Sequence, residues 1–115
     1  MALSEIEIKR IERAVSGFME RKRPPPHIRP KLDLGYRIEG QSLELFEIRP
    51  FWADPSQIME SAVAKATYVK RTGRWNIYWQ RADLKWQRYD PDPEVGSIED
   101  VLKVVEADEY ACFFG

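Results

Sequence analysis

The chain predicts an α+β fold: a five-stranded antiparallel meander sheet with an N-terminal and a C-terminal helix packed on one face. Three observations carry that reading. Apolar residues recur at helical spacing near both ends of the 115-residue sequence. Between those ends the period falls to two, and short turn signals separate the alternating runs. Prolines mark the junctions, at Pro24, Pro25 and Pro26 after the first helix and at Pro91 and Pro93 before the last. The length suits a single α+β domain over 1–115, large enough to bury a core without staples.

The first helix begins at a capping box, Ser4 with Glu7, in which each residue satisfies an amide that would otherwise have no partner. Leu3 and Ile8 have the spacing of a hydrophobic staple across that cap. Ile8, Ile11, Val15, Phe18 and Met19 share one face. The proline triplet ends the helix at about Lys22 and is expected to run on as an extended connector.

From Lys31 the alternation of Leu32, Leu34, Tyr36 and Ile38 with polar or small residues gives a half-buried strand, turned at Gly40-Gln41. Residues 42–49 form its return. The phase slips at Leu45-Phe46, which signals a bulge or a strand covered on both faces. Pro50 is expected to close that strand, and Asp54-Pro55 to mark a loop. Residues 62–71 read as a third strand beginning near Glu60. A short helix over 56–66 competes, because Ile58, Met59, Ala62 and Ala66 also fit helical spacing. Thr72-Gly73 turns the chain into a strand over 75–81, and Ala82-Asp83 turns it into another over 84–90. Ser97 caps the last helix, with Asp100 at the capping-box position and a stripe of Ile98, Val101, Leu102 and Val105. The terminal Phe113-Phe114 pair is expected to dock on the core.

Hydrophobic content of 43% and charged content of 32% fit a soluble globular protein. No apolar run approaches the roughly 20 residues of a spanning helix, and the N-terminus lacks the apolar stretch of a signal peptide. Cys112, the single cysteine, allows neither an intrachain disulfide nor a cysteine metal cage, so a cytoplasmic address is expected. The net charge of −1 hides an uneven spread. Residues 61–89 carry seven cations and one acid, whereas 90–115 carry one cation and eight acids. The expected resolution is an acidic C-terminal helix that folds over the basic sheet and neutralises it.

The residue inventory offers little for catalysis. His27 is the only histidine, lies in the proline-rich connector and has no nucleophile elbow to serve. Cys112 sits between Ala111 and Phe113, surroundings that suggest burial and a raised thiol pKa. The carboxylate pairs Asp33 with Glu47 and Asp90 with Asp92 lack a cleft, and neither a Walker loop nor G-x-G-x-x-G occurs. No cofactor is expected, and no membrane partner.

The segment 67–91 remains, with three Trp, three Tyr and six cations around two turns. If Trp75, Ile77 and Trp79 point inward, Tyr78 points outward. Tyr78, Arg81, Lys85, Arg88 and Tyr89 are then candidate binding residues for single-stranded nucleic acid, stacking bases and neutralising phosphates. An aromatic core with a cationic edge that resists strand addition explains the same residues.

The helix LSEIEIKRIERAV, the core WNIYWQRADLKWQRYDP and the terminal CFFG together resemble a family of small bacterial proteins, domain of unknown function 3024. The likeness spans nearly the whole chain, and its middle piece, with W-x-x-Y-W and R-A-D-x-K-W spacing, is the most specific. The family pattern places a histidine after the residue that stands here as Trp86, where this chain has Gln87. The resemblance implies a cytoplasmic bacterial protein in a single-domain format and supplies no activity, substrate or site. Three functions follow as expectations. The first is a non-catalytic binding or protein-interaction module, for which a homodimer built on an open edge strand or on an apolar patch beside Phe113-Phe114 is one form. The second is a nucleic-acid binder, and the third an enzyme that sets Asp83 or Asp90 near Arg and Tyr.

Overall fold

The computed structural model describes residues 3–114. Helix α1 (Glu5–Lys22) starts where the capping box directs it. The Ser4 hydroxyl accepts from the Glu7 amide at 3.2 Å, and the Glu7 carboxylate accepts from the Ser4 amide at 3.0 Å. The bond from the Ser4 backbone holds the Glu7 carboxyl below its usual pKa. Ile11, Val15 and Phe18 are buried along one stripe.

After α1 the extended stretch is short, because Arg23 is extended but turns begin at Pro26. A series of tight turns occupies residues 26–31, in which Ile28 donates to the Pro25 carbonyl and Lys31 and Leu32 both donate to the Ile28 carbonyl. Successive prolines fix φ but leave their carbonyls free to accept, and the local amides close on them.

Strands β1 (Asp33–Glu39), β2 (Ser42–Phe51), β3 (Asp54–Val69), β4 (Arg74–Gln80) and β5 (Trp86–Arg88) pair in sequence order, each antiparallel to the next. The predicted five-strand meander is therefore present. A sixth strand, β6 (Glu94–Val95), also pairs with β4. The Tyr89 amide donates to the Ile77 carbonyl and the Ile77 amide to the Pro93 carbonyl, so β5 and β6 are two halves of one edge interrupted by residues 90–92.

Helix α2 (Ile98–Ala107) is capped by Ser97 and ends at Asp108, whose left-handed backbone and carboxylate receive the tail. Asp108 accepts from the amides of Phe113 and Phe114 at 3.0 and 2.9 Å, which accounts for an acid at a helix end that its dipole disfavours. Phe113 is buried against Tyr89 with ring centroids 4.8 Å apart, and Lys22 lies over Phe114. The Phe113-Phe114 tail is thus docked on the core, as expected.

Both helices lie on one face of the sheet. Leu43, Leu45, Ala64, Ala66, Trp75 and Ile77 meet Ile11, Val15, Phe18, Val101, Leu102 and Val105 in a single buried cluster. The register slips between Leu45 and Phe46, where Val63 has no partner on β2 and turns into the core. Neither helix is long and apolar enough to cross a membrane.

Three strands differ from expectation. Strand β3 begins at Asp54, well before Glu60, and residues 56–66 are not helical. β2 runs through Pro50 to Phe51, because a proline is tolerated where its missing amide faces no partner strand. The fifth strand is also shorter than 84–90, since Leu84 takes a left-handed conformation (φ 67°) in the preceding turn.

Arg23 grips Asp33 through two bonds of 2.8 Å, and the Leu34 amide donates to the same carboxylate at 2.8 Å. The Arg23 bond, ahead of the smaller Leu34 bond, depresses the Asp33 pKa. A depressed carboxylate contributes stability that is complete above its unfolded pKa and lost as pH falls through the folded value. Asp33→Asn is therefore expected to cost about 1–2 kcal/mol at neutral pH. Urea unfolding of both proteins checks this, and the difference between them should close on acidification to about pH 3.

Candidate functional site

Residues paired across an antiparallel ladder share a face, so the register fixes the side of the sheet that the helices leave open. Arg37 with Glu44, Gly35 with Phe46, Lys65 with Tyr78, Tyr78 with Arg88 and Gln80 with Trp86 all lie on it. Phe46 is only 7% exposed although no helix covers it. Its ring lies over Gly35, where a Cβ would stand 2.6 Å from a ring carbon, and the Arg37 guanidinium sits 4.6 Å from its centroid. Phe46 thereby floors a shallow groove of about 410 Å³ walled by Met59, Ala62, Gln80 and Leu84.

The cations of this face are largely matched by acids. Arg37 bonds Glu60 at 2.6 Å, Arg74 reaches Glu94 at 3.2 Å, and Arg88 bonds Asn76 at 3.0 Å and reaches Glu94 at 3.9 Å. Glu60 and the nearby Glu44 and Glu39 raise the Arg37 pKa, the Glu60 hydrogen bond contributing most. Lys65 is held over two rings, 5.5 Å from the centroid of Trp86 and 5.8 Å from that of Tyr78. The acidic helix does not cover this surface. Its carboxylates pair with α1 instead, Glu99 with Arg10 and Glu106 with Arg21, each at 2.9 Å. The expected neutralisation of the sheet by α2 is thus replaced by neutralisation of α1.

Among the five candidate binding residues, Tyr78 and Arg88 are neighbours on the open face. Arg81 and Lys85 are exposed in the adjoining turn, where Arg81 reaches Asp83 at 3.9 Å. Tyr89 is elsewhere: it is buried on the helix side against Phe113, and that burial raises its phenol pKa. Trp86, not named among those five, lies on the open face. Strand parity after the 81–85 turn would have placed it there, since Trp86 and Arg88 alternate with Tyr89.

The remaining candidates are dispersed. His27 is exposed in the connector, and Cys112 is half-buried with its thiol pKa raised, chiefly by burial. Asp33 is engaged by Arg23 and Glu47 by Arg49, while Asp90 and Asp92 are exposed. Among the described residues no three His, Cys, Asp or Glu side chains converge as a metal-binding group.

Sequence reasoning passed over the most exposed apolar feature. Beyond the point where β1 and β4 stop pairing, β2 and β3 continue alone as a two-stranded ribbon. Its tip and flanks carry Trp52, 86% exposed, with Ile58 and Met59 at 73% and 45%. At the root of the ribbon Leu84 is 74% exposed. An aromatic pair, Phe51-Trp52, beside Asp54-Pro55 was the available signal, since two large aromatics in a turn are seldom left in water without purpose.

The fold and surface define a two-layer α+β protein with an open, amphipathic sheet face. The chain belongs to the family described as domain of unknown function (DUF3024), whose model matches residues 3–115. No curated protein and no solved structure matches it.

The contact between Phe46 and Gly35 makes the groove floor testable. Gly35→Ala should displace the ring and cost about 1–3 kcal/mol, measured by chemical denaturation. A Gly35→Ala, Phe46→Leu double variant, which removes the ring from above the new methyl, should recover part of that loss.

Proposed function

We propose that this chain is a non-catalytic protein-interaction module that offers the ribbon and the outer-face groove to a protein partner. The observation that carries this reading is Trp52, 86% exposed at the end of a ribbon with no covering layer. An isolated two-stranded ribbon is marginal in water, and its stability improves when an apolar side is covered. Buried Trp is also the residue type most often central to binding energy. The groove supports a protein ligand better than a polyanion, because Arg37, Arg74 and Arg88 already have carboxylates on the same face. A cytoplasmic address is consistent with the single, half-buried cysteine.

Single-stranded nucleic acid is the second reading. It draws on the Lys65 ammonium between Tyr78 and Trp86 and on the exposed Arg81 and Lys85. Glu44, Glu60 and Glu94 would lie against the phosphates in that arrangement.

Two measurements separate the readings. A photo-crosslinking amino acid in place of Trp52 should give discrete protein adducts in the expressing cell, whereas the same residue in place of His27 should not. Fluorescence anisotropy should detect no binding to labelled single-stranded DNA below about 10 µM at physiological salt. Tight, salt-sensitive DNA binding that Lys65→Ala removes, with no adducts from position 52, would establish the nucleic-acid reading instead.

A further inference from the structure

We infer that the partner seated on the ribbon is a second copy of this chain, in a two-fold arrangement where each ribbon tip reaches the root of the other. The inference rests on the interaction-module reading and names its partner. Three observations support it independently.

The first is an open backbone edge. β4 pairs with β3 only from Ala64 onward, so residues 54–63 of β3 face no strand on that side. The two outer strands of the sheet are protected. β1 carries Asp33, Arg37 and Glu39, and the β5–β6 edge is broken by Pro91 and Pro93. Residues 55–62 hold no cation and one acid, Glu60, which Arg37 already engages. Such an edge is a template for another strand.

The second is a match of apolar surfaces. A two-fold axis across the middle of the exposed ribbon carries its tip to the partner's root. Trp52 then meets the partner's Leu84 and Gln80 at the rim of the groove floored by Phe46. Both would-be contacts are otherwise wet, and Leu84 is held there by a left-handed backbone (φ 67°) that a branched side chain adopts only at a cost. Strain that keeps an apolar side chain in solvent is accounted for when a partner covers it. Trp52, Ile58 and Leu84 are each more than 70% exposed, and a two-fold contact uses each of them twice.

The third is charge. The tip carries Asp54, which among the described residues bonds only Ser56 of its own turn. The root carries Lys85, in no ion pair among the described residues, and Arg81, whose contact with Asp83 is long at 3.9 Å. Tip and root are therefore opposite in sign. The same two-fold brings each Asp54 toward the partner's Arg81 and Lys85, twice per dimer.

Sedimentation of the full chain tests this. The wild type should sediment at twice its 13.5 kDa mass. Trp52→Ser should weaken the dimer by about 30-fold or more, as loss of a central tryptophan does. Asp54→Arg alone, and Arg81→Asp with Lys85→Glu, should each weaken it by about 100-fold through like-charge opposition. Mixing the two charge-reversed proteins should restore a heterodimer, an outcome that misfolded variants cannot produce. A dimer indifferent to both reversals overturns the inference and moves the interface elsewhere. A wild-type monomer at about 100 µM also overturns it. In that case protein adducts from position 52 would keep the interaction-module reading with a different partner, and their absence would end both.

Discussion

Two helices cannot cover the sheet that this sequence builds, and that mismatch in length organises the molecule. Helix α1, at 18 residues, spans about 27 Å, and α2 is shorter still. Strand β3 has 16 residues, each advancing about 3.3 Å, so even with its bulges it outruns the helices that shield its inner side. The molecule is accordingly elongated, 44 × 29 × 26 Å. Where helix and sheet overlap, small Ala64 and Ala66 let the helical layer sit close, and Leu43, Ile77, Val15 and Val105 close the core completely. Where they do not overlap, apolar side chains remain in solvent, and the surface for partners is created there.

The uncovered face has its own organisation. Phe46 is buried without a second layer because Gly35 leaves room for its ring and Arg37 lies across it. Lys65 does for Trp86 and Tyr78 what Arg37 does for Phe46, laying an aliphatic stem and a cation over rings. The aromatic surface is thus shielded by long cationic side chains that carboxylates or rings hold in place. Within 67–91 the Arg74 and Arg88 guanidinium groups meet Glu94, so part of the cationic character of that segment is matched on the sheet itself.

Much of the fold was legible because its signals are local. The Ser4–Glu7 box, the 3.6-residue stripe of α1, the Gly40 and Gly73 turns (φ 59° and 67°) and the Ser97 cap each act over a few residues, and all are found where the sequence puts them. The site was less legible. Residues 50–60 contain two prolines and helix-compatible spacing, so their strand character comes from pairing with β2 and not from any pattern of their own. Tyr89 looked like a surface aromatic because it shares strand parity with Lys85 and Gln87, yet that parity is opposite to Trp86 and Arg88 and sets it on the helix side against Phe113.

By itself the sequence determined the α+β class, the antiparallel meander, the helix boundaries and the family, since capping, periodicity and turn chemistry are properties of neighbouring residues. Only the tertiary structure decided which charges meet, which aromatics are covered and how far the β2–β3 ribbon reaches past the helices. Glu99 and Glu106 find Arg10 and Arg21 across distances of more than eighty residues, and no local pattern encodes that choice. Long-range pairing and burial depend on how the layers stack, and stacking is settled only when the whole core closes.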